Sequence, residues 1–176
     1  MNRFLPQTAA AGALTIALIA FATIAGAWIF QGLGYEPCDL CYEQRYAYYV
    51  GVPLAALVFV LARAGAPRAI VVAGLVALAL IFAANTILAV YHSGVEAGLW
   101  QGPTACTGAM AGPAKASDLL EQLQKIKVVR CDAVSLRVFG LSLANWNVLI
   151  SAALAALAAL AARTIFSSRQ GAAADL

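Results

Sequence analysis

The sequence predicts an all-α membrane protein, a four-transmembrane-helix bundle whose single domain spans residues 1–176. The first observation is composition. The chain is 63% hydrophobic and only 11% charged, whereas soluble domains carry about 25% charged residues, enough to cover a water-facing surface. The second is the arrangement of the apolar residues. Thr8–Phe30, Tyr46–Ala62, Ala69–Tyr91 and Trp146–Ala162 contain no Lys, Arg, Asp or Glu, and each is close to the roughly 17–25 residues that cross a bilayer core as a helix. In a bilayer every backbone polar group must bond internally, so such runs are helical. The third is the placement of basic residues, which sets the orientation.

The expected spans are about 9–30, 46–62, 69–91 and 146–166, with outer loops of about 31–45 and 92–145. Arg3 followed by an apolar stretch resembles a secretory signal, but the first block exceeds the usual 7–15-residue signal core and three further spans follow, so it reads as a retained helix. Arg3, Arg63, Arg68, Arg163 and Arg169 fall at the two ends and in the short span 2–3 connection, where the only acid is Asp175. The other two loops balance six basic residues against seven acidic ones. The positive-inside rule therefore puts both termini in the cytoplasm and both longer loops outside. The net charge of +3 reports this topology, and no basic patch suits nucleic acid.

Arg63-Ala-Gly-Ala-Pro-Arg68 is a tight hairpin of breaker residues and flanking charge. The second outer loop is long for a connection without strands, which points to function. Within it, Asp118 and Glu121 fit a helix cap, and Leu119, Leu120, Leu123 and Ile126 recur at helical spacing. They predict a short amphipathic helix, lying on the membrane surface or packed within the loop. Trp28, Trp100 and Trp146 sit near outer helix ends, where indole rings favour the headgroup layer. Ala152, Ala156 and Ala159 in span 4 suit close helix contact, Asn85 an interhelical hydrogen bond, and Pro53 a kink in span 2.

The cysteines carry the chemistry. Cys38, Cys41, Cys106 and Cys131 are the only ones, and all four fall in the outer loops. Outside a bacterial inner membrane thiols meet an oxidising compartment, and four cysteines allow three pairings. The pairing that stays within each loop is Cys38–Cys41 and Cys106–Cys131. The second would close about 26 residues, worth roughly 3.5 kcal/mol of loop entropy, so a structural staple is one reading. Cys38-Asp-Leu-Cys41 closes almost nothing, and pairs of that spacing are associated with lowered thiol pKa and exchange. At the mouth of span 2 the helix N-terminus carries partial positive charge. Arg45, one helical turn beyond Cys41, falls on the same face; both features favour a thiolate on Cys41. Arg45 snorkelling to headgroups is the plainer alternative. A four-cysteine zinc site is opposed by the wide Cys106–Cys131 spacing, so no metal is expected.

The chain resembles the disulfide bond formation protein B (DsbB) family, inner-membrane oxidases that pass electrons from the periplasmic oxidant DsbA to quinone. The resemblance covers nearly the whole chain. It rests on Pro37-Cys38-Asp-Leu-Cys41-Tyr-Glu-Gln-Arg45 at the mouth of span 2, Tyr91-His92 after span 3, the Cys106/Cys131 loop, and Phe139-Gly-Leu-Ser-Leu-Ala-Asn-Trp146 before span 4. Gln44 departs from the acidic residue of the best-known member. The resemblance implies that a DsbA-like thiolate attacks Cys106, that the released Cys131 attacks Cys38, and that Cys41 reduces a quinone, ubiquinone or menaquinone, held near Arg45. His92 would add a hydrogen bond to a quinone carbonyl, or it is simply a wetted helix end. DsbA lies near −120 mV and ordinary structural disulfides below about −300 mV, so reoxidation by the latter would be uphill by roughly 8 kcal/mol for two electrons. A strong lipid-soluble acceptor resolves that difference. Two other readings remain: a paralogue dedicated to one substrate protein, and a non-catalytic membrane protein whose loops are merely stapled.

Overall fold

The computed structural model describes residues 4–103 and 129–174. Four long helices dominate it: α1 (Phe4–Gly32), α2 (Asp39–Arg63), α3 (Arg68–Glu96) and α4 (Leu143–Ala174). Each contains a stretch long and apolar enough to cross a membrane. They close a ring in which α1 packs on α2, α2 on α3, α3 on α4 and α4 back on α1.

The core forms where small and branched residues recur at three- and four-residue spacing, the period that keeps side chains on one helical face. Ala13, Ile16 and Ala20 of α1 meet Ala55 and Val58 of α2, Leu75, Leu78 and Phe82 of α3, and Leu154 and Ala158 of α4. Gly51 permits a close approach of α2 and α3, since a Cβ there would lie 2.6 Å from Cζ of Phe82. The outward faces are equally apolar: Leu80 is 66% exposed and Ile87 72%. Such faces are costly in water and natural against lipid, as in a multi-pass membrane protein.

The helices run beyond the charge-free blocks, because a bilayer-spanning helix does not stop at its last apolar residue. Helix α2 begins at Asp39, with Cys38 as its N-cap in extended conformation. Helix α3 continues through His92 to Glu96. The α2–α3 connection is as tight as expected, with Gly65 at φ +75°. Pro53 is accommodated inside α2.

The expected contact face of α4 needs correction. Ala152, Ala156 and Ala159 point outward, and the buried stripe is Ser151, Leu154, Ala158, Ala162 and Ile165. Alanines occupy every face of this helix, so their spacing does not select one. Asn85 behaves as read: its Nδ2 donates to Ser151 Oγ at 2.9 Å, joining α3 to α4. The predicted amphipathic helix near Asp118 lies outside the described residues.

A short hairpin precedes α4, pairing β1 (Arg137–Val138) with β2 (Leu141–Ser142). Its turn residues Phe139 and Gly140 both have positive φ, +52° and +86°, the backbone a two-residue hairpin requires. Ser142 Oγ then accepts from the Asn145 N–H at 3.2 Å, capping the start of α4. The indole N–H groups also find acceptors: Trp28 at Tyr49 Oη, Trp100 at the Tyr91 carbonyl and Trp146 at the Val138 carbonyl.

Candidate functional site

The N-cap position of α2 fixes the first sulfur. Cys38 turns the chain into the helix, so its side chain sits over the free N–H groups of the first turn, and Cys41 follows one turn later. Both are free thiols with sulfurs 2.9 Å apart. This differs from the closed Cys38–Cys41 disulfide expected from spacing, whose S–S bond would be about 2.05 Å. Cys131 is disulfide-bonded, while its expected partner, Cys106, lies outside the described residues. Cys131 and Cys38 belong to one buried cluster with Leu40 and Val95, so cysteines from the two outer loops meet in the fold.

The Cys38 thiol is held below its ordinary pKa. A hydrogen bond from the Cys41 thiol is the main cause, and burial opposes it. His92 assists by hydrogen bonding, and the Cys38 pKa falls from its ordinary value to about 5. The N-cap position acts in the same direction: the helix starts at Asp39, so the positive end of its dipole lies at Cys38.

His92 is 2% exposed, which excludes a wetted helix end. Its Nε2 lies 3.6 Å from Cys38 Sγ and 4.0 Å from Glu96 Oε1, and its Nδ1 is 2.8 Å from Gln44 Nε2. Ser142 Oγ donates to the other oxygen of Glu96, tying the end of α3 to the start of α4. Arg45 is buried and shares a face of α2 with Cys41. Its guanidinium nevertheless reaches across to α1, donating to Gln31 Oε1 at 2.6 Å and to the Ala27 carbonyl at 3.4 Å. It also lies 5.1 Å from the centre of the Tyr42 ring.

A cavity of about 330 Å³ opens beside these groups, touching Cys38, Cys41, Arg45 and His92. Its remaining wall includes apolar and small residues of α1 and α4, among them Ala22, Gly26, Phe30 and Ile150. The ligand atoms of Cys38, Cys41 and His92 lie within 4.8 Å of one another, close enough to surround a metal ion. The hydrogen bond on the far side of the His92 ring opposes one. A metal-binding imidazole donates its other N–H outward, whereas here Gln44 donates into Nδ1.

The sequence matches the family described as "Disulfide bond formation protein DsbB" over residues 9–161, which includes all four cysteines and most or all of every span. The chain belongs to the DsbB family. Membership assigns it an oxidoreductase role in disulfide bond formation. It is also similar to the uncharacterized protein RP370 of Rickettsia prowazekii (strain Madrid E), 24% identical over 141 residues covering 78% of this chain and 77% of that protein. No solved structure matches.

Beside the cysteines, Arg45 and His92 that the sequence singles out, the fold brings Glu96, Ser142 and Asn147, which the sequence does not. His92 and Glu96 are spaced i, i+4 on one helix, a signal available for the first. Asn147 offered only a polar residue at the entrance of an apolar span. Its Nδ2 donates to Gln44 Oε1, so the amide at position 44 is held from both sides.

Proposed function

We propose that the chain oxidises a periplasmic thioredoxin-fold protein of DsbA type and passes the electrons to membrane quinone. The observation that carries this is the shared burial of Cys38 with the disulfide-bonded Cys131, beside a cavity that also reaches Cys41 and Arg45. A stapled, non-catalytic protein has no need for that convergence.

The residues fit a quinone ring. The cavity offers apolar walls for a flat ring and, at its sulfur end, the Arg45 guanidinium as a donor for a carbonyl oxygen, with His92 beside the sulfurs. A bound quinone would supply the two-electron oxidising power that an ordinary disulfide lacks. Every other step belongs to the chain. A partner thiolate attacks Cys106, forming a mixed disulfide and freeing Cys131. The Cys131 thiolate attacks Cys38 of the closed Cys38–Cys41 bond and leaves Cys41 as a thiolate. The second partner thiolate then displaces Cys106, which attacks Cys131 and frees Cys38. The reduced Cys38/Cys41 pair finally gives up two electrons and two protons and closes again.

The thiolate assignment changes with the step. While Cys38 is bonded to Cys131, Cys41 is the lone sulfur and carries the charge. In the fully reduced pair the charge rests on Cys38. A low-pKa thiol stabilises the reduced form and makes its disulfide a stronger oxidant, which suits a pair that must accept electrons from DsbA.

Purified protein with added quinone should oxidise many equivalents of reduced DsbA-type protein, as followed by thiol counting. Oxidation that stops at one or two equivalents with quinone present would refute the proposal. We place the protein in the bacterial inner membrane, with both termini cytoplasmic and both cysteine loops periplasmic. An exported-only reporter enzyme fused after Gln101 should be active and one fused at Ala66 silent. The reverse pattern would put the cysteines in a reducing compartment and overturn the assignment.

A further inference from the structure

We infer that Gln44 and Asn147 are positioning residues, forming an amide relay that fixes His92 as the tautomer whose Nε2–H points at Cys38 sulfur. This deepens the proposed function and rests on it for its purpose, although the geometry stands independently. Neutral imidazole carries one N–H and one lone pair, and the bond made by one nitrogen decides the role of the other. Gln44 Nε2 can only donate, so His92 Nδ1 must accept and the ring proton lies on Nε2, 3.6 Å from Cys38 Sγ.

A glutamine amide can turn over, exchanging donor for acceptor, unless its oxygen is also held. Here Asn147 Nδ2 donates to Gln44 Oε1. Asn147 is oriented in turn, because its Oδ1 accepts from the Tyr48 hydroxyl and from Ser151 Oγ at 3.3 Å. Ser151 lies 3.1 Å from Tyr48 Oη and accepts from Asn85 Nδ2 at 2.9 Å. From Asn147 to Gln44 to His92 to Cys38 the donors run head to tail, drawing on α4, α2 and α3. Gln44, Asn85, His92 and Ser151 are each 5% exposed or less, so water does not compete for the intended bonds.

The relay does what a carboxylate at position 44 would not. An ionised carboxylate only accepts, so it would draw the ring proton to Nδ1 and turn the Nε2 lone pair toward Cys38. An amide held by Asn147 delivers a hydrogen bond to the sulfur with no added buried charge. The same polarity disfavours a metal ion at Cys38, Cys41 and His92, which would need the Nε2 lone pair.

The test is direct because His92 is the only histidine. Full-length reduced protein labelled with 15N-histidine should show, at a pH where the ring is neutral, a protonated Nε2 and an unprotonated Nδ1. A proton on Nδ1, alone or on both nitrogens throughout the range, overturns the relay. So does an unprotonated Nε2 that takes up one equivalent of added zinc. In Gln44→Glu, with the carboxylate ionised, the proton should move to Nδ1. In Gln44→Leu and in Asn147→Leu both tautomers should coexist, and the pH midpoint for alkylation of Cys38 should rise by on the order of one unit. The other titratable or charged groups around the sulfur and its cavity are Cys41, Glu36, Arg45 and Tyr48 from the α2 side, Glu96 from α3, and Arg130 and Tyr35 from the loops. None of these is changed in the variants, so the shift reports the ring. Should a variant fail to fold, the wild-type spectrum alone decides the tautomer. It requires no turnover, so failure of the quinone assay would leave it standing.

Discussion

Cys38→Ser should abolish repeated turnover, a loss on the order of 10³-fold or more, while leaving one stoichiometric oxidation of the partner. The disulfide at Cys131 is untouched by the change and can still exchange once with a partner thiolate. Without Cys38 it has no route to the cavity. Serine cannot form the disulfide, and its hydroxyl does not replace the low-pKa thiolate that Cys41 and His92 stabilise. Steady-state oxidation with quinone, set beside a quinone-free single-turnover assay with acid quench, measures both quantities. Unchanged steady-state turnover would make the Cys38/Cys41 pair structural and end the relay.

Arg45→Ala should raise the Michaelis constant for quinone about tenfold or more, the scale of one lost charge-assisted hydrogen bond. Arg45→Lys should fall between, since it retains charge without the planar fork. The single-turnover oxidation should be nearly unaffected, because it depends on the other cysteine loop. Arg45 also ties α2 to α1 through Gln31 and Ala27, so Gln31→Ala is the needed comparison. If Gln31→Ala reproduces the whole effect, Arg45 acts as a tether between helices and the acceptor is held elsewhere. If the effect follows the guanidinium alone, the electrostatic role stands.

The bundle was legible because bilayer crossing leaves a coarse mark: charge-free blocks of the right length, with arginines at the chain ends and in the short α2–α3 connection. Helix ends were less so. Nothing in the apolar pattern says that α2 begins at Asp39, yet that onset makes Cys38 the N-cap, where the Cys41 thiol and His92 lower its pKa. Asn85 could be read because a lone amide in an apolar helix must find a partner. The packing face of α4 could not, since Ala152, Ala156 and Ala159 look no different from the alanines that do turn inward. Within the site, the cysteines and Arg45 announce themselves by chemistry and spacing. Asn147 meets Gln44 across 103 residues of chain, and only the assembled fold reveals the pair.

The N-cap setting of Cys38 has a consequence for where work is done. The sulfur marks the end of the helix, where the chain passes between the aqueous and hydrocarbon phases. In the proposed function, reductant would arrive as a water-soluble protein on one side of that boundary and oxidant dissolved in lipid on the other. Two solutes that never share a solvent would then react through a sulfur pair one helical turn long. On this arrangement the electrons cross a phase boundary without traversing the thickness of the bilayer, and the transfer is set by redox chemistry rather than by the voltage across the membrane.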